Sequence, residues 1–367
     1  MNNQDIHIGI VGAGRIGSAI YELLVSSNSE YKISIADEAE KKGFDNNFVK
    51  LPITKPTYES DGTGTSVQFR NFVQDKSLII NALPYTQNIA LYKYCYDSDV
   101  PYFDLSEDEA LDNYIKGLQD VPFTMPHCGL APGMSTVITN SLINGFDEVQ
   151  EVNIRVGALS QNATNKLRYH SSWSGDGLVN EYLGNCQVVQ RGQFGTVPAL
   201  SGYERITLAG EEYEAFHTSG GIGTFAKTLS GIYPYVNVNY KTLRRIGHHD
   251  YVDFLFNDLG LEQSELTRIF KNHIPTTRKD LVILYGAVRG NISNSYTERT
   301  YYKVFKPERI NGRHMTAIEY TTAIGLLAMV ELYLSGKLPQ DGYVKQESVN
   351  LKDVLTTTFG NFYREDM

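Results

Sequence analysis

Along the first third of the chain, short apolar runs alternate with segments of helical spacing. Residues 6–11 read as a buried strand, and residues 18–25 as the helix that follows it. Residues 32–36 form a second strand, and residues 78–83 another, ended by Pro84, which cannot continue a ladder. Further short strands fall at 100–104 and 122–125. Strands alternating with helices predict an α/β protein with a doubly wound parallel sheet covered on both faces, the Rossmann form.

From about Glu151 the pattern changes. Val152, Ile154, Val156 and Ala158 alternate with Asn153, Arg155 and Gly157, the period of a half-buried antiparallel strand. Similar segments recur at 280–289 and 300–305, with helical patterns near 250–257 and 263–272. This predicts an α+β domain with a mainly antiparallel sheet. Residues 317–334 and 351–363 are helical again. The most apolar stretch, 323–334, is interrupted by Glu331 and is shorter than the ~20 residues a membrane span needs.

Composition narrows the class. With 42 Asp and Glu against 33 Lys and Arg, the chain lacks the basic stripe of a nucleic-acid binder. Cys95, Cys128 and Cys186 are too few and too scattered for a disulfide framework or a cysteine zinc site. The polar start, residues 1–5, lacks the basic-then-apolar pattern of a signal peptide. The expectation is a cytoplasmic protein with no membrane and no nucleic-acid partner. The 25 Tyr against a single Trp are unusual, but composition gives them no task.

Gly12-Ala13-Gly14-Arg15-Ile16-Gly17 is a GxGxxG between a strand and a helix. Gly12 makes the tight turn, Gly14 lets backbone approach a pyrophosphate, and Gly17 lets helix and strand pack closely. The helix start, with Arg15 and Ile16, presents free N–H groups to the phosphates. Asp37 ends the second strand, where a carboxylate can accept bonds from ribose hydroxyls and repel a 2′-phosphate. NAD is therefore favoured over NADP, although the nearby Lys41 and Lys42 could bind a phosphate.

Several stretches, in order, resemble the saccharopine dehydrogenase family, including saccharopine reductases and lysine 6-dehydrogenases. They are Asn81-Ala82-Leu83-Pro84, Tyr102-Phe103-Asp104-Leu105-Ser106, Gly129-Leu130-Ala131-Pro132-Gly133-Met134, Ser172-Trp173-Ser174 with Gly177-Leu178, Thr218 to Thr224, and Lys241 to His248. The family's Tyr-Pro-Gly-His is here Arg245-Ile246-Gly247-His248, and His127 and Cys128 precede the Gly129 turn. The resemblance implies a dinucleotide-binding domain, 1–132, completed by C-terminal helices, 311–367. A substrate-binding and dimerisation domain, 133–310, is inserted between them. It also implies a homodimer and NAD(P)-linked oxidation of a C–N bond, or reduction of an imine.

The chemistry needs groups beyond the carboxyl ends of the parallel strands. Asn81, Leu83 and Pro84 end one strand and Asp104 and Ser106 the next, so both are expected on the nicotinamide side. Leu130, Ala131 and Pro132 are expected against the cofactor, and Gly133 opens a helix whose backbone donors could meet a substrate carboxylate. Asp104 is the leading group for a cationic substrate amine; it or Ser106 could instead cap a helix starting near Glu107. His217 is the favoured histidine base among His127, His170, His217 and His248. Tyr85 is a candidate hydroxyl donor. Arg168 and Arg244 could clamp a carboxylate, with Tyr169 and Trp173 as pocket walls. His248-His249, read as neighbours on a strand, point to opposite faces, so no metal is expected. The leading expectation is an NAD-dependent oxidoreductase for lysine or a saccharopine-like amine. The alternatives are a reductase of another imine conjugate, carboxylated polyamine or opine-like, and a regulatory protein that senses NAD without turnover.

Overall fold

The computed structural model describes residues 6–27, 30–52, 64–173, 175–310 and 312–365; the polar start 1–5 and Ser174 lie outside the described residues. The chain divides into two compact units, Met1–Pro132 with Thr322–Phe362, and Gly133–Thr321 with Tyr363–Met367.

In the first unit β1 (His7–Val11) is buried along its whole length, as a strand with cover on both faces must be. It is followed by α1 (Arg15–Ser26), β2 (Lys32–Asp37), β3 (Phe48–Lys50), α2 (Gly64–Gln74), β4 (Leu78–Asn81), α3 (Asn88–Asp97), β5 (Tyr102–Asp104), α4 (Glu109–Lys116) and β6 (Thr124–Met125). The six strands pair in parallel in the order β3-β2-β1-β4-β5-β6. The order reverses between β1 and β4, which places the ligand crevice beyond their carboxyl ends. Strand β3 is short and half-exposed, and no apolar run announces it. Strand β4 stops at Asn81 rather than Leu83, because the Leu83 N–H turns back to Asn81 Oδ1 at 3.0 Å. Several of the tyrosines sit here in the core: Tyr92 and Tyr102 meet edge to face with ring centres 5.2 Å apart. The late segment 342–344 runs beside β6, with the Thr124 N–H donating to the Gly342 carbonyl and the Val344 N–H to that of Thr124.

The cap of α4 differs from expectation. Neither Asp104 nor Ser106 provides it; Asp108 Oδ1 accepts the Ala110 and Leu111 N–H groups at 3.0 and 3.2 Å. The helix starts two residues later than its cap-like Asp-x-Ser suggests, which frees Asp104 for other bonds.

The second unit opens with α5 (Met134–Leu142), β7 (Glu148–Ser160), α6 (Gly175–Glu181), β8 (Asn185–Gln190) and β9 (Gln193–Pro198). It continues with β10 (Glu204–Leu208), β11 (Glu211–Phe216), α7 (Phe225–Ser230), β12 (Asn237–Arg244), α8 (His248–Asp253), α9 (Gln263–His273), β13 (Asp280–Ile292) and β14 (Ser295–Phe305). Its main sheet runs β10-β11-β12-β7-β13-β14, with β8 and β9 joined to β12. All these pairings are antiparallel except β7 with β12. Helix α5 lies against β13, where a Cβ on Gly286 would stand 2.5 Å from Thr139 Oγ1.

Helix α10 (Ala317–Leu334) starts from a dense set of caps. Asp280 accepts the Ala317 and Ile318 N–H groups at 2.8 and 3.0 Å, and Thr316 and Glu319 exchange reciprocal capping bonds. Among the described residues α10 is the one helix long and apolar enough to cross a membrane by length and composition, and most of it is buried in the protein. The expected helix over 351–363 is reduced to Leu351–Val354 and a helical turn at Gly360–Tyr363.

Candidate functional site

The fingerprint turn is built by steric necessity. Gly12 has φ 104°, and a Cβ there would meet the Ala82 carbonyl oxygen at 2.7 Å. A Cβ on Gly17 would lie 1.8 Å from the Gly12 oxygen, so α1 approaches β1 as closely as it does only with glycine there. Gly14 and Arg15 are exposed, and nothing stands within 4 Å of where a Gly14 Cβ would be. Ile16 is half-buried beside them. The open side of the turn is thus the side a pyrophosphate would take, at the start of a twelve-residue helix. Asp37 holds the turn from β2: its Oδ2 accepts the Ala13 N–H at 2.7 Å and its Oδ1 the Ala39 N–H at 3.2 Å. A carboxylate has about four acceptor positions, so room remains for ribose hydroxyls.

The fingerprint and the end of β4 come together, since Leu83 Cδ2 would lie 3.2 Å from a Cβ on Gly12. Leu83 is half-buried, Pro84 and Tyr85 are exposed, and Tyr85 begins a helical turn at Tyr85–Gln87. Asn81 faces inward instead. Its amide donates to Asn88 Oδ1 and to the Tyr102 hydroxyl, both at 2.8 Å, so it shapes the strand end rather than meeting a ligand.

Asp104 also turns inward, which corrects its expected role. Its carboxylate is 1% exposed and accepts three internal bonds, from the Tyr102 hydroxyl at 3.0 Å, the Ser106 N–H at 3.0 Å and the His127 N–H at 3.2 Å. Burial raises its pKa to about 6, against the pull of the neighbouring His127. A carboxylate so enclosed organises the β5 end and offers no open face to a substrate amine. The 129–132 turn follows directly. Leu130 and Pro132 are buried, Ala131 is half-buried, and the Ala131–Pro132 peptide is cis. Gly133, at φ 130°, precedes α5.

In the second unit, Tyr169, Trp173, Arg244 and His248 meet in one buried network. Arg244 is 2% exposed; its Nε donates to the Tyr182 hydroxyl at 2.9 Å, its NH1 to the Leu243 carbonyl at 3.0 Å and its NH2 to Glu181 Oε2 at 3.1 Å. The guanidinium also lies over the Tyr169 and Tyr182 rings. The Leu167 carbonyl can only accept, so His248 Nδ1 carries the proton at 2.8 Å, and Nε2 accepts from the Tyr182 hydroxyl at 2.9 Å. Burial, then Arg244, push His248 down to about 3, so it stays neutral. Arg244 is therefore committed inside the protein and presents no edge for a substrate carboxylate, contrary to expectation. Trp173 donates its Nε1–H to the Tyr169 hydroxyl at 3.0 Å, and its ring lies where a Cβ on Gly177 would be, 2.5 Å from Cζ3. Arg168 is exposed, with φ 55°.

His217 is buried, and its Nδ1–H donates to the Tyr240 carbonyl at 3.2 Å. Burial and the Lys241 charge lower it to about 4, which makes it a weak base near neutral pH. His170 is half-buried and bonds Thr164. His248 and His249 open helix α8 rather than lying on a strand. Both ring nitrogens of His248 are taken by Tyr182 and Leu167 and Nε2 of His249 by Leu200, and among the described residues no three His, Cys, Asp or Glu side chains gather as a metal site.

One group escaped the sequence reading. Glu181, the last residue of α6, pairs with Arg244 through Oε2, while its side chain is still 21% exposed and its Oε1 has no donor among the described residues. Burial raises it to about 7 despite the Arg244 charge. Its position eight residues after Trp173 was visible in the sequence, but its partner lies 63 residues away.

A parallel sheet in the order 3-2-1-4-5-6 with this fingerprint defines a dinucleotide-binding α/β protein. Residues 8–120 match the saccharopine dehydrogenase NADP binding domain, and residues 129–365 the saccharopine dehydrogenase C-terminal domain. The chain belongs to the saccharopine dehydrogenase family, and is a saccharopine dehydrogenase-like, NAD(P)-binding oxidoreductase. Its fold is similar to that of apo saccharopine dehydrogenase (L-Glu forming) from Saccharomyces cerevisiae, with a TM-score of 0.75 and 14% identity over 98% of both chains. It is also similar to homospermidine synthase from Legionella pneumophila in complex with NAD, with a TM-score of 0.67 and 13% identity over 99% of this chain and 91% of that one.

Proposed function

We propose that the protein transfers hydride between NAD and the C–N bond of an amino acid or its imine, with lysine or a saccharopine-like secondary amine as substrate. The observation that carries the reading is the fingerprint turn, open at Gly14 and closed at Gly12 and Gly17, with Asp37 beside it in a family of nicotinamide-linked enzymes. The bound nicotinamide would accept the hydride from the carbon bearing the amine, leaving an imine and a released proton. The chain's own part is binding and proton handling. Gly12 to Gly17 would hold the pyrophosphate, Asp37 the ribose, and Leu83, Pro84 and the 129–132 turn the nicotinamide half. Tyr85 remains a candidate donor at the β4 end.

We assign the substrate amine to Glu181 in place of Asp104. One of its oxygens is fixed by Arg244 and the other has no donor among the described residues, which suits an ammonium group, and a carboxylate titrating near neutrality can take up a proton from it. The commitment of Arg244 to Glu181 leaves Arg168 as the remaining arginine for a substrate carboxylate. That favours, as a second reading, a substrate richer in amines than saccharopine, such as a carboxylated polyamine conjugate. We further propose a homodimer in the cytoplasm; the three buried free cysteines suit a reducing compartment.

The test is NADH formation at 340 nm with lysine, saccharopine and a carboxylated polyamine, run in both directions. Glu181→Gln is expected to raise KM for the amine about tenfold or more and to remove the rise in kcat/KM through about pH 7. A wild type that binds NAD without turnover of any amine would leave a nucleotide sensor as the reading.

A further inference from the structure

His127 is held in a way that nothing in the proposed reaction uses. Its backbone is left-handed, φ 65°, a conformation that a non-glycine residue keeps only where its surroundings fix it. It is 1% exposed. Its N–H donates to Asp104 Oδ1 at 3.2 Å, and its ring Nε2 meets Asp112 Oδ1 on α4 at 3.1 Å. The same Asp112 oxygen accepts the Tyr343 hydroxyl at 2.7 Å, and the Gln346 side-chain amide donates to the carbonyl of Pro126, one residue before His127. The next residue, Cys128, donates its N–H to the Asp104 carbonyl at 2.8 Å and begins the 129–132 turn. His127 thus joins β5 through its N–H and α4 through its ring Nε2, its Nδ1 being without a partner among the described residues. Asp112 and the Pro126 carbonyl carry the connection on to the C-terminal segment.

We propose that His127 is a positioning residue: its ring fastens the 129–132 turn to α4 at Asp112, the carboxylate that Tyr343 also holds, and the turn keeps its shape only while that fastening holds. The functional consequence rests on reading the turn as a cofactor contact.

The charges around the ring set its pH range. Asp104, Glu107 and Asp112 face it, Lys116 stands by Asp112, and the Tyr102 and Tyr343 phenols and the Cys128 thiol stay neutral because burial pushes all three up. Burial alone would lower the imidazole, but the bond and charge of Asp112, then Asp104 and Glu107, outweigh it and raise it to about 9. Because this folded value exceeds the ordinary value of about 6.5, the stabilisation is complete below about pH 6.5 and disappears as pH rises through about 9. Asp112 is held below the ordinary carboxylate range by His127 and Tyr343 despite its burial, so its share is lost on acidification.

The experiment follows the whole chain by ring nitrogen NMR and by amide hydrogen exchange across 128–131, corrected for intrinsic rates, from pH 6 to 10. The wild type is expected to show a doubly protonated His127 at pH 7.5 and to lose about tenfold or more of the turn's protection through about pH 9. His127→Gln and Asp112→Asn should lack protection there already at pH 7, show no step, and bind NAD about tenfold more weakly. A neutral ring at pH 7.5 overturns the proposal. So does a His127→Gln protein with a lower Tm but wild-type protection of the turn, since that is what a purely structural residue would give. If the variants fail to fold, the wild-type ring titration and exchange step decide alone. A wild type that shows the step but binds no nicotinamide nucleotide supports the fastening and overturns the cofactor reading by itself.

Discussion

Asp37 serves two ends at once. It anchors the fingerprint turn through the Ala13 N–H, and it stands where a ribose would be met. Asp37→Ala removes both, so a fall in affinity alone proves little. The informative quantity is the ratio. If the carboxylate meets the ribose, NAD should weaken at least about tenfold more than NADP, close to 1.4 kcal/mol, by titration of each cofactor. Equal losses would leave Asp37 as a turn anchor only. At this scale the sequence speaks clearly where the constraint is local. Gly12, Gly14 and Gly17 could be read because their spacing falls between a strand and a helix, and Gly17 answers directly to the Gly12 carbonyl five residues before it. Asp104 could not, because its three donors come from Tyr102, Ser106 and His127, the last 23 residues away. An Asp-x-Ser at a strand end looks the same whether it faces a ligand or the protein.

Among the elements, helix α10 was the most legible and β8 to β12 the least. The first is a long apolar run with a cap at its start; the second are strands of five to eight residues whose polar faces blur the alternation. What the sequence hides about α10 is its dependence on Asp280, 37 residues upstream. That carboxylate is buried and satisfies two N–H groups of the first turn. Asp280→Ala should leave both unpaired and cost about 1–3 kcal/mol, read as a lower Tm in thermal unfolding. Asp280→Asn keeps an acceptor and should cost less. A melting temperature unchanged by either would show that Thr316 and Glu319 cap the helix without it.

For the whole molecule, the two units differ in how they are assembled from the chain. The second is nearly continuous, whereas the first takes residues from both ends. Strand β6 has the segment 342–344 on its outer side, and Tyr343 reaches Asp112. A chain ended at Leu334 should therefore lose hydrogen-exchange protection at β6 and α4 while β7 and β13 keep theirs. Equal protection of all four in the shortened chain would show that the late segment is dispensable. Apolar runs made the parallel sheet legible and alternation made β7, β13 and part of β14 so, but the pairing of the parallel sheet with a segment more than two hundred residues later lay beyond any local pattern.

That late segment also fixes an order of events at birth. Translation delivers the fingerprint, then residues 133–321 of the second unit, and only then the residues that flank β6. Nothing in the first 132 residues can complete the Tyr343–Asp112 contact while the ribosome is still making residues 133–321. The inserted unit can build its main sheet on the nascent chain, whereas the nucleotide unit must wait for residues 342–344. Until then the β6 side of its sheet stays an unpaired edge, the kind of surface on which a growing chain associates with its neighbours.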